Sequence, residues 1–231
     1  GGKSPVIVMA DADDLEQAAA GICEGILWNA GQNCSANSRL IVQRSVEEEL
    51  LERIAEQSGD WIVGDPLVPE TTVGSMIEEA HMDKVLGHIS DAHDAGASCV
   101  LGGSRVREES GGFFVEPTVF TGVDPASRLA REEVFGPVLA VTTFDTPEEA
   151  IRIANDTDYG LAATIHTTDL RTAHLASRAL RAGTVAVNCY GEGDITTPFG
   201  GFKQSGFGGR DKSIAAHEQY TELKTIWMDL S

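Results

Sequence analysis

Basic residues are scarce in this chain: 17 Lys and Arg stand against 36 Asp and Glu, a formal charge of −19 over 231 residues. Such a field repels phosphate backbones and anionic lipid surfaces over a Debye length of about 8 Å, which argues against nucleic acid and membrane partners. No apolar run approaches the roughly 20 residues of a bilayer-spanning helix, and no basic-then-apolar signal segment is visible. Cysteine is equally sparse. Cys23, Cys34, Cys99 and Cys189 form no C-x-x-C pair and have no histidine at zinc-finger spacing. Neither a disulfide framework nor a structural metal is expected, and a reducing cytoplasm fits best. An initiator Met is also lacking. The chain opens GGKSPVIVMADAD, already inside what reads as a turn before a strand, so we expect a piece of something longer.

What is present is an ordinary globular composition, 42% apolar and 23% charged, enough for one domain with an appendage. Val6 to Met9 reads as a buried strand, and the acidic ADADD that follows as the entry to a helix from about Asp13 to Asn29. Gly21 and Gly25 weaken that helix, so close packing is their expected reason. SRLIVQRS is the next strand, and VEEELLERIAEQSGDW a helix with Val46, Leu50 and Ile54 on one face. Met82, Val85, Leu86 and Ile89 have amphipathic helical spacing, and AGASCVLGG closes that helix and opens a strand. FFVEPTVFTGV and VLAVTTF are β-rich, separated by a loop through DPASRLAREEVFGP. TPEEAIRIAND has Pro in its first helical turn. LAATIHT reads as a strand, LRTAHLASRALRAG as a helix and TVAVN as a strand. This alternation predicts an α/β fold, an open, twisted, mostly parallel sheet with helices on both faces. Residues 189–212 carry seven glycines without periodicity, too long a loop for mere connection. The closing YTELKTIWMDL alternates like a terminal strand.

Cys34 lies in WNAGQNCSANSR between the first helix pattern and the second strand. It can be packing, a metal ligand or a nucleophile. The flanking amides and broken glycine texture make simple core burial the poorer reading, and a partly solvated thiol among amide dipoles can present a thiolate. Cys23, Cys99 and Cys189 lie in apolar or strand contexts and read as packing. GGKS resembles the tail of a P-loop, but Pro5 and an apolar strand occupy the slot where that motif needs a helix, so we reject it. GGFKQSGFGG offers many backbone N–H groups, yet no G-x-G-x-x-G follows a strand to open a helix. REEVFGPV sets two carboxylates beside an aromatic at a loop–strand junction. His81, His88 and His93 do not have metal-pair spacing and read as surface histidines.

Taken in order, GGKSP, GQNCSANSR, EEVFGPV, NDTDYGLAA, AGTVAVN and PFGGFKQSG resemble the catalytic domain of the NAD(P)-dependent aldehyde dehydrogenase family from end to end of the chain. The resemblance implies that Cys34 is the nucleophile that attacks an aldehyde carbonyl, with its own backbone N–H in the oxyanion hole. It implies that Glu133 binds the nicotinamide ribose hydroxyls of NAD or NADP, that Phe135 packs near the nicotinamide, and that Lys84 lies near the same ribose. Phe199 matches the aromatic lining the aldehyde channel, with Asn33 beside the nucleophile and residues 190–197, from Tyr190 through Asp194 to Thr197, as the variable substrate loop. Asp211 is the candidate acid on a water path, although SGFGGRD carries one residue more than the family pattern.

The family's general base lies two residues before the first glycine of GGKSP, a position ahead of Gly1. The resemblance therefore implies a catalytic domain over residues 1–218 and an oligomerisation strand over 219–231, without the N-terminal NAD-binding domain, and inactive as an isolated fragment. It also implies a homo-oligomer, dimer or tetramer, in the full-length protein. Glu192 and Asp194 make the channel loop acidic, as suits a cationic aldehyde, and GDITTPFGGFKQSGFGGRDKS is similar to members acting on aminoaldehydes or γ-glutamylaminoaldehydes in polyamine breakdown. Two other readings stay open, a cofactor-independent thiol esterase and a non-catalytic assembly fragment.

Overall fold

The computed structural model describes residues 1–231. Strand β1 (Pro5–Val8) follows GGKS directly, so the P-loop slot is filled by a strand. Then come α1 (Leu15–Leu27), β2 (Arg39–Gln43), α2 (Glu47–Ser58), α3 (Glu79–Asp94) and β3 (Ser98–Leu101). A small hairpin of β4 (Arg105–Val106) and β5 (Phe114–Val115) precedes β6 (Thr118–Thr121), α4 (Arg128–Arg131) and β7 (Val138–Phe144). The chain finishes its regular structure with α5 (Pro147–Asn155), β8 (Ala162–His166), α6 (Leu170–Ala179) and β9 (Thr184–Val187).

Seven strands form one sheet in the order β3-β6-β7-β2-β1-β8-β9. All neighbours pair in parallel except β3 and β6. The central strands alternate strictly between two cores, as period-2 geometry requires. Val6 and Val8 of β1 and Leu40 and Val42 of β2 face α1, α2 and α3, while Ile7 and Ile41 face α5 and α6 with Phe144, Ala163 and Ile165. Helices therefore cover both faces, and the layer architecture is the α/β one the alternation predicts.

The two edges of the sheet differ in chemistry. Past the carboxyl ends of β1, β7 and β8, each following helix is capped by its own side chain. Asp14 accepts from Gln17 N at 2.8 Å, Thr146 from Glu149 N at 3.3 Å and Asp169 from Arg171 N at 2.9 Å. Helix N-termini that would otherwise attract an anion are thus already satisfied. The opposite edge, where the chain enters β1, β2, β7 and β8, carries Gly2, Cys34, Glu133 and Gly160, and parallel pairing brings these entry loops side by side.

Several expectations need correction. The tail 221–231 forms no strand, and Leu223, Trp227 and Leu230 are over nine-tenths exposed. A strand is stable only as a member of a sheet, and neither edge of this sheet pairs with the tail. His88 is fully buried on α3, because it falls one turn from Val85 and from Ala92 on the same inward face. Cys189 is exposed, since the chain has left β9 two residues earlier. Of the two helical glycines, only Gly25 shows close packing. A Cβ there would meet Tyr190 at 3.1 Å and Asn37 at 3.2 Å, whereas one on Gly21 would meet nothing.

Candidate active site

Helix α1 stops at Leu27, and Asn29 and Ala30 take left-handed backbone (φ 53° and 55°) that turns the chain toward Cys34. Gly31 completes the turn at φ 70°, where a Cβ would lie 2.2 Å from Gly136 O. Only glycine allows this approach, which presses the nucleophile loop onto residues 136–137. Gly2 does the same on the other side, since a Cβ there would lie 2.6 Å from Cys34 O. Gly2 N in turn donates to Glu133 Oε1 at 2.9 Å. Three segments far apart in sequence thus meet at one point, and two missing side chains let them.

Cys34 is half-buried. Its thiol lies 3.9 Å from Asn33 Oδ1, and its backbone N–H donates to no other residue. Burial raises its pKa above the ordinary thiol value, and the Glu192 carboxylate raises it further. Within these residues the sulfur rests as a thiol. Asn33 Nδ2 donates to Ser35 Oγ and to Tyr190 Oη, both at 3.0 Å. Ser35 Oγ donates to Glu192 Oε1 at 2.5 Å, and Glu192 pairs with Lys212 Nζ at 3.1 Å. The channel loop is therefore clamped to both neighbours of the nucleophile. Lys212 Nζ also stands 5.1 Å from the centre of the Phe199 ring.

Glu133, Phe135 and Lys84 lie together. Lys84 Nζ donates to Glu133 O at 3.3 Å. Phe135 is held at φ 59°, with its carbonyl 2.6 Å from His81 Nε2 and its ring edge-on to His81 at 5.9 Å. One Glu133 oxygen is engaged by Gly2, and the other accepts from no donor. A carboxylate with a free oxygen beside an exposed ammonium and an aromatic ring fits the hydroxyls of a ribose, so these residues suit a nicotinamide nucleotide. Asp211 and Phe199 exchange backbone bonds of 2.6 and 2.8 Å, which fixes the base of the channel loop. Asp194 does not reach Cys34. It is spent on its own turn, accepting from Thr196 N at 2.7 Å and Thr196 Oγ1 at 2.6 Å, and these bonds lower its pKa.

The residues missed in sequence are Gly2, Ser35, Lys212, Lys3 and Arg39. The Lys3 amine is buried without a partner, which lowers its pKa to about 7. Arg39 is buried too, donating to Lys3 O at 2.9 Å, Ile153 O at 3.0 Å and Ala154 O at 2.7 Å. A charged residue at the threshold of a wholly apolar strand was the available signal for both.

The model of the aldehyde dehydrogenase family matches residues 1–226. Aminoacetaldehyde dehydrogenase of Pseudomonas aeruginosa is 54% identical over all of this chain, which spans 46% of that protein. An indole-3-acetaldehyde dehydrogenase of P. syringae, solved with NAD+ and IAA, superposes over the whole chain with a TM-score of 0.96 at 54% identity, the chain covering 46% of it. A γ-glutamyl-γ-aminobutyraldehyde dehydrogenase from Burkholderia cenocepacia gives 0.93 at 51% identity over 97% of this chain and 45% of its own. The chain, under half the length of these relatives, belongs to the aldehyde dehydrogenase family.

Proposed function

We propose that the protein containing this chain oxidises an aldehyde to a carboxylic acid, using NAD or NADP, with Cys34 as nucleophile. The observation that carries this reading is a thiol and, on the same residue, a backbone N–H that donates to no other residue, at the junction of the Glu133 loop and the channel loop. The Cys34 thiolate adds to the carbonyl carbon, and the Cys34 N–H donates to the oxyanion formed; one such donor is typically worth about 3–4 kcal/mol of barrier. A bound nicotinamide would supply the hydride acceptor, with Glu133 and Lys84 positioned to hold its ribose and Phe135 to flank it. Loss of hydride from the Cys34 adduct leaves an acyl-thioester on the sulfur. Water then displaces the sulfur to release the acid. Asp211, at the base of the channel loop, is proposed on the water path.

Both addition and hydrolysis need a base, because the Cys34 pKa is raised and no titratable side chain here hydrogen-bonds the sulfur. We assign residues 1–218 to the catalytic domain and 219–231 to an oligomerisation strand completed by another chain. The substrate class is aminoaldehydes. Support comes from the names of the similar P. aeruginosa and B. cenocepacia enzymes, and from the half-buried Glu192 carboxylate of the channel loop. The free thiols and the charge of −19 suit a reducing cytoplasm. The test is intact-mass spectrometry of the 231-residue chain after brief exposure to p-nitrophenyl acetate, beside Cys34→Ala. A single persistent acetyl group on Cys34 is expected, since no titratable side chain hydrogen-bonds the Cys34 sulfur to activate a deacylating water. Acetylation spread over all four cysteines contradicts the assignment, and rapid turnover favours a self-sufficient esterase instead.

A further inference from the structure

The channel loop's only half-buried acid is already paired, which changes what a cationic substrate meets. Lys212 Nζ sits between the Glu192 carboxylate at 3.1 Å and the face of Phe199 at 5.1 Å. Carboxylate plus aromatic face is the chemistry that recognises an alkylammonium ion. The arrangement is built rather than incidental. Glu192 is held from its other oxygen by Ser35, next to the nucleophile. Lys212 and Ser213 take left-handed backbone at φ 59° and 52°, a cost that non-glycine residues sustain only where their surroundings demand it. Phe199 is locked by its two bonds to Asp211.

We propose that Glu192 and Phe199 form an ammonium subsite of the aldehyde channel, that Lys212 occupies it in the resting protein, and that the primary ammonium of an aminoaldehyde displaces Lys212 from it. This rests on the aldehyde dehydrogenase reading and gives its substrate class a structural address. Discrimination follows from a contact that only one substrate makes. As Lys212 moves out to solvent, an ammonium gains the Glu192 carboxylate and the Phe199 face, whereas a neutral aldehyde gains neither.

The exchange also reaches the nucleophile. The charges around Cys34 are Glu192 on the channel loop, Glu133 on the cofactor loop and the amino group of Gly1, with the Tyr190 hydroxyl held by Asn33. With Lys212 removed, Glu192 acts unopposed on the sulfur. Iodoacetamide alkylation of Cys34 in full-length Lys212→Ala, followed near pH 8, is then expected to slow about threefold. Propylammonium should restore the rate where sodium at equal ionic strength does not, and Glu192→Gln should abolish both effects. Unchanged alkylation in Lys212→Ala, or restoration by sodium as well, overturns the subsite.

Glu192→Gln alone supplies a second arm should Lys212→Ala fold poorly. The ratio of kcat/KM for 3-aminopropanal over butanal is expected to fall about tenfold in Glu192→Gln. A strong wild-type preference left intact by that variant overturns the subsite while the aminoaldehyde reading survives. No wild-type preference overturns the aminoaldehyde class, and with it the displacement by substrate, while propylammonium restoration still shows whether a cation can occupy the subsite. A ratio that rises in Glu192→Gln shows that Lys212 recognises an anionic substrate group, which also overturns the proposal.

Discussion

Lys3 and His88 are buried bases without hydrogen-bond partners, and each makes stability depend on pH with a definite sign. Burial, helped by Arg39, lowers the Lys3 pKa to about 7 from 10.5. Between those values the unfolded chain binds a proton that the folded one does not, so stability falls as pH drops through that window and levels off below about 7. Lys3→Met is expected to raise stability at pH 7, by about 5 kcal/mol at most, and to flatten that slope. His88, lowered to about 4 chiefly by burial and by Arg128, acts in the lower range. There the unfolded histidine protonates first, and stability is lost as pH falls from 6.5 toward 4. His166, also buried and lowered to about 4, adds in the same direction. Urea unfolding of His88→Met and the native chain across pH 7 to 4 reads this out. Parallel curves would mean that His88 takes up its proton alike in the folded and unfolded chains, with no lowering by burial. Sequence position alone gave no sign of it, because His88 looks like a polar break in the amphipathic pattern of α3 and is in fact part of its inward face.

At the scale of elements, Arg39 joins three of them. Its guanidinium donates to the carbonyls of Ile153 and Ala154 in the last turn of α5 and to Lys3 just before β1, from the first residue of β2. The carboxyl end of a helix favours a cation, and burial makes these bonds costly to break. Arg39→Met keeps most of the apolar volume but leaves the Lys3 and Ala154 carbonyls without donors, while Ile153 O keeps the Asp156 N–H at 3.2 Å. A loss of about 3 kcal/mol is expected, seen as a lower urea midpoint at unchanged slope. A shift under 0.5 kcal/mol would show that water replaces the guanidinium. The elements themselves were largely legible. Continuous apolar runs such as PVIV and RLIVQ mark strands buried on both faces, and the capping residues Asp14, Thr146 and Asp169 mark the helix starts. Less legible was which edge of the sheet would host chemistry. Open α/β sheets commonly bind ligands beyond the carboxyl ends of their strands. Here three of the helices that leave that edge are capped by their own side chains, and Cys34 and Glu133 stand on loops entering β2 and β7. The motif resemblance found these residues, but their meeting depends on Gly2 and Gly31, whose close approaches to Cys34 and Gly136 only the folded backbone shows.

For the molecule as a whole, the tail is where sequence pattern and single-chain structure part. YTELKTIWMDL alternates as a strand should, yet alternation says only that one face would be apolar and does not name the sheet it joins. Within this chain Leu223, Ile226, Trp227 and Leu230 remain exposed by 67% or more. The long-range repulsion opposing association comes almost entirely from the rest of the chain. Residues 221–231 carry Glu222 and Asp229 against Lys224, a net −1 of the total −19, so truncation after Tyr220 leaves −18. Removing the tail therefore deletes apolar surface with hardly any change in charge. Truncation is expected to move the urea midpoint by less than about 0.5 kcal/mol equivalent, because the tail contributes no buried core. It should also lower self-association, measured by light scattering at matched ionic strength. If the truncated chain associates as strongly as the intact one, contact between copies runs through the body of the fold, and the assignment of 219–231 to assembly fails. If association vanishes while stability holds, the tail is an unpaired strand awaiting a sheet in another chain, which is also why an exposed run of this kind is an aggregation hazard in isolation.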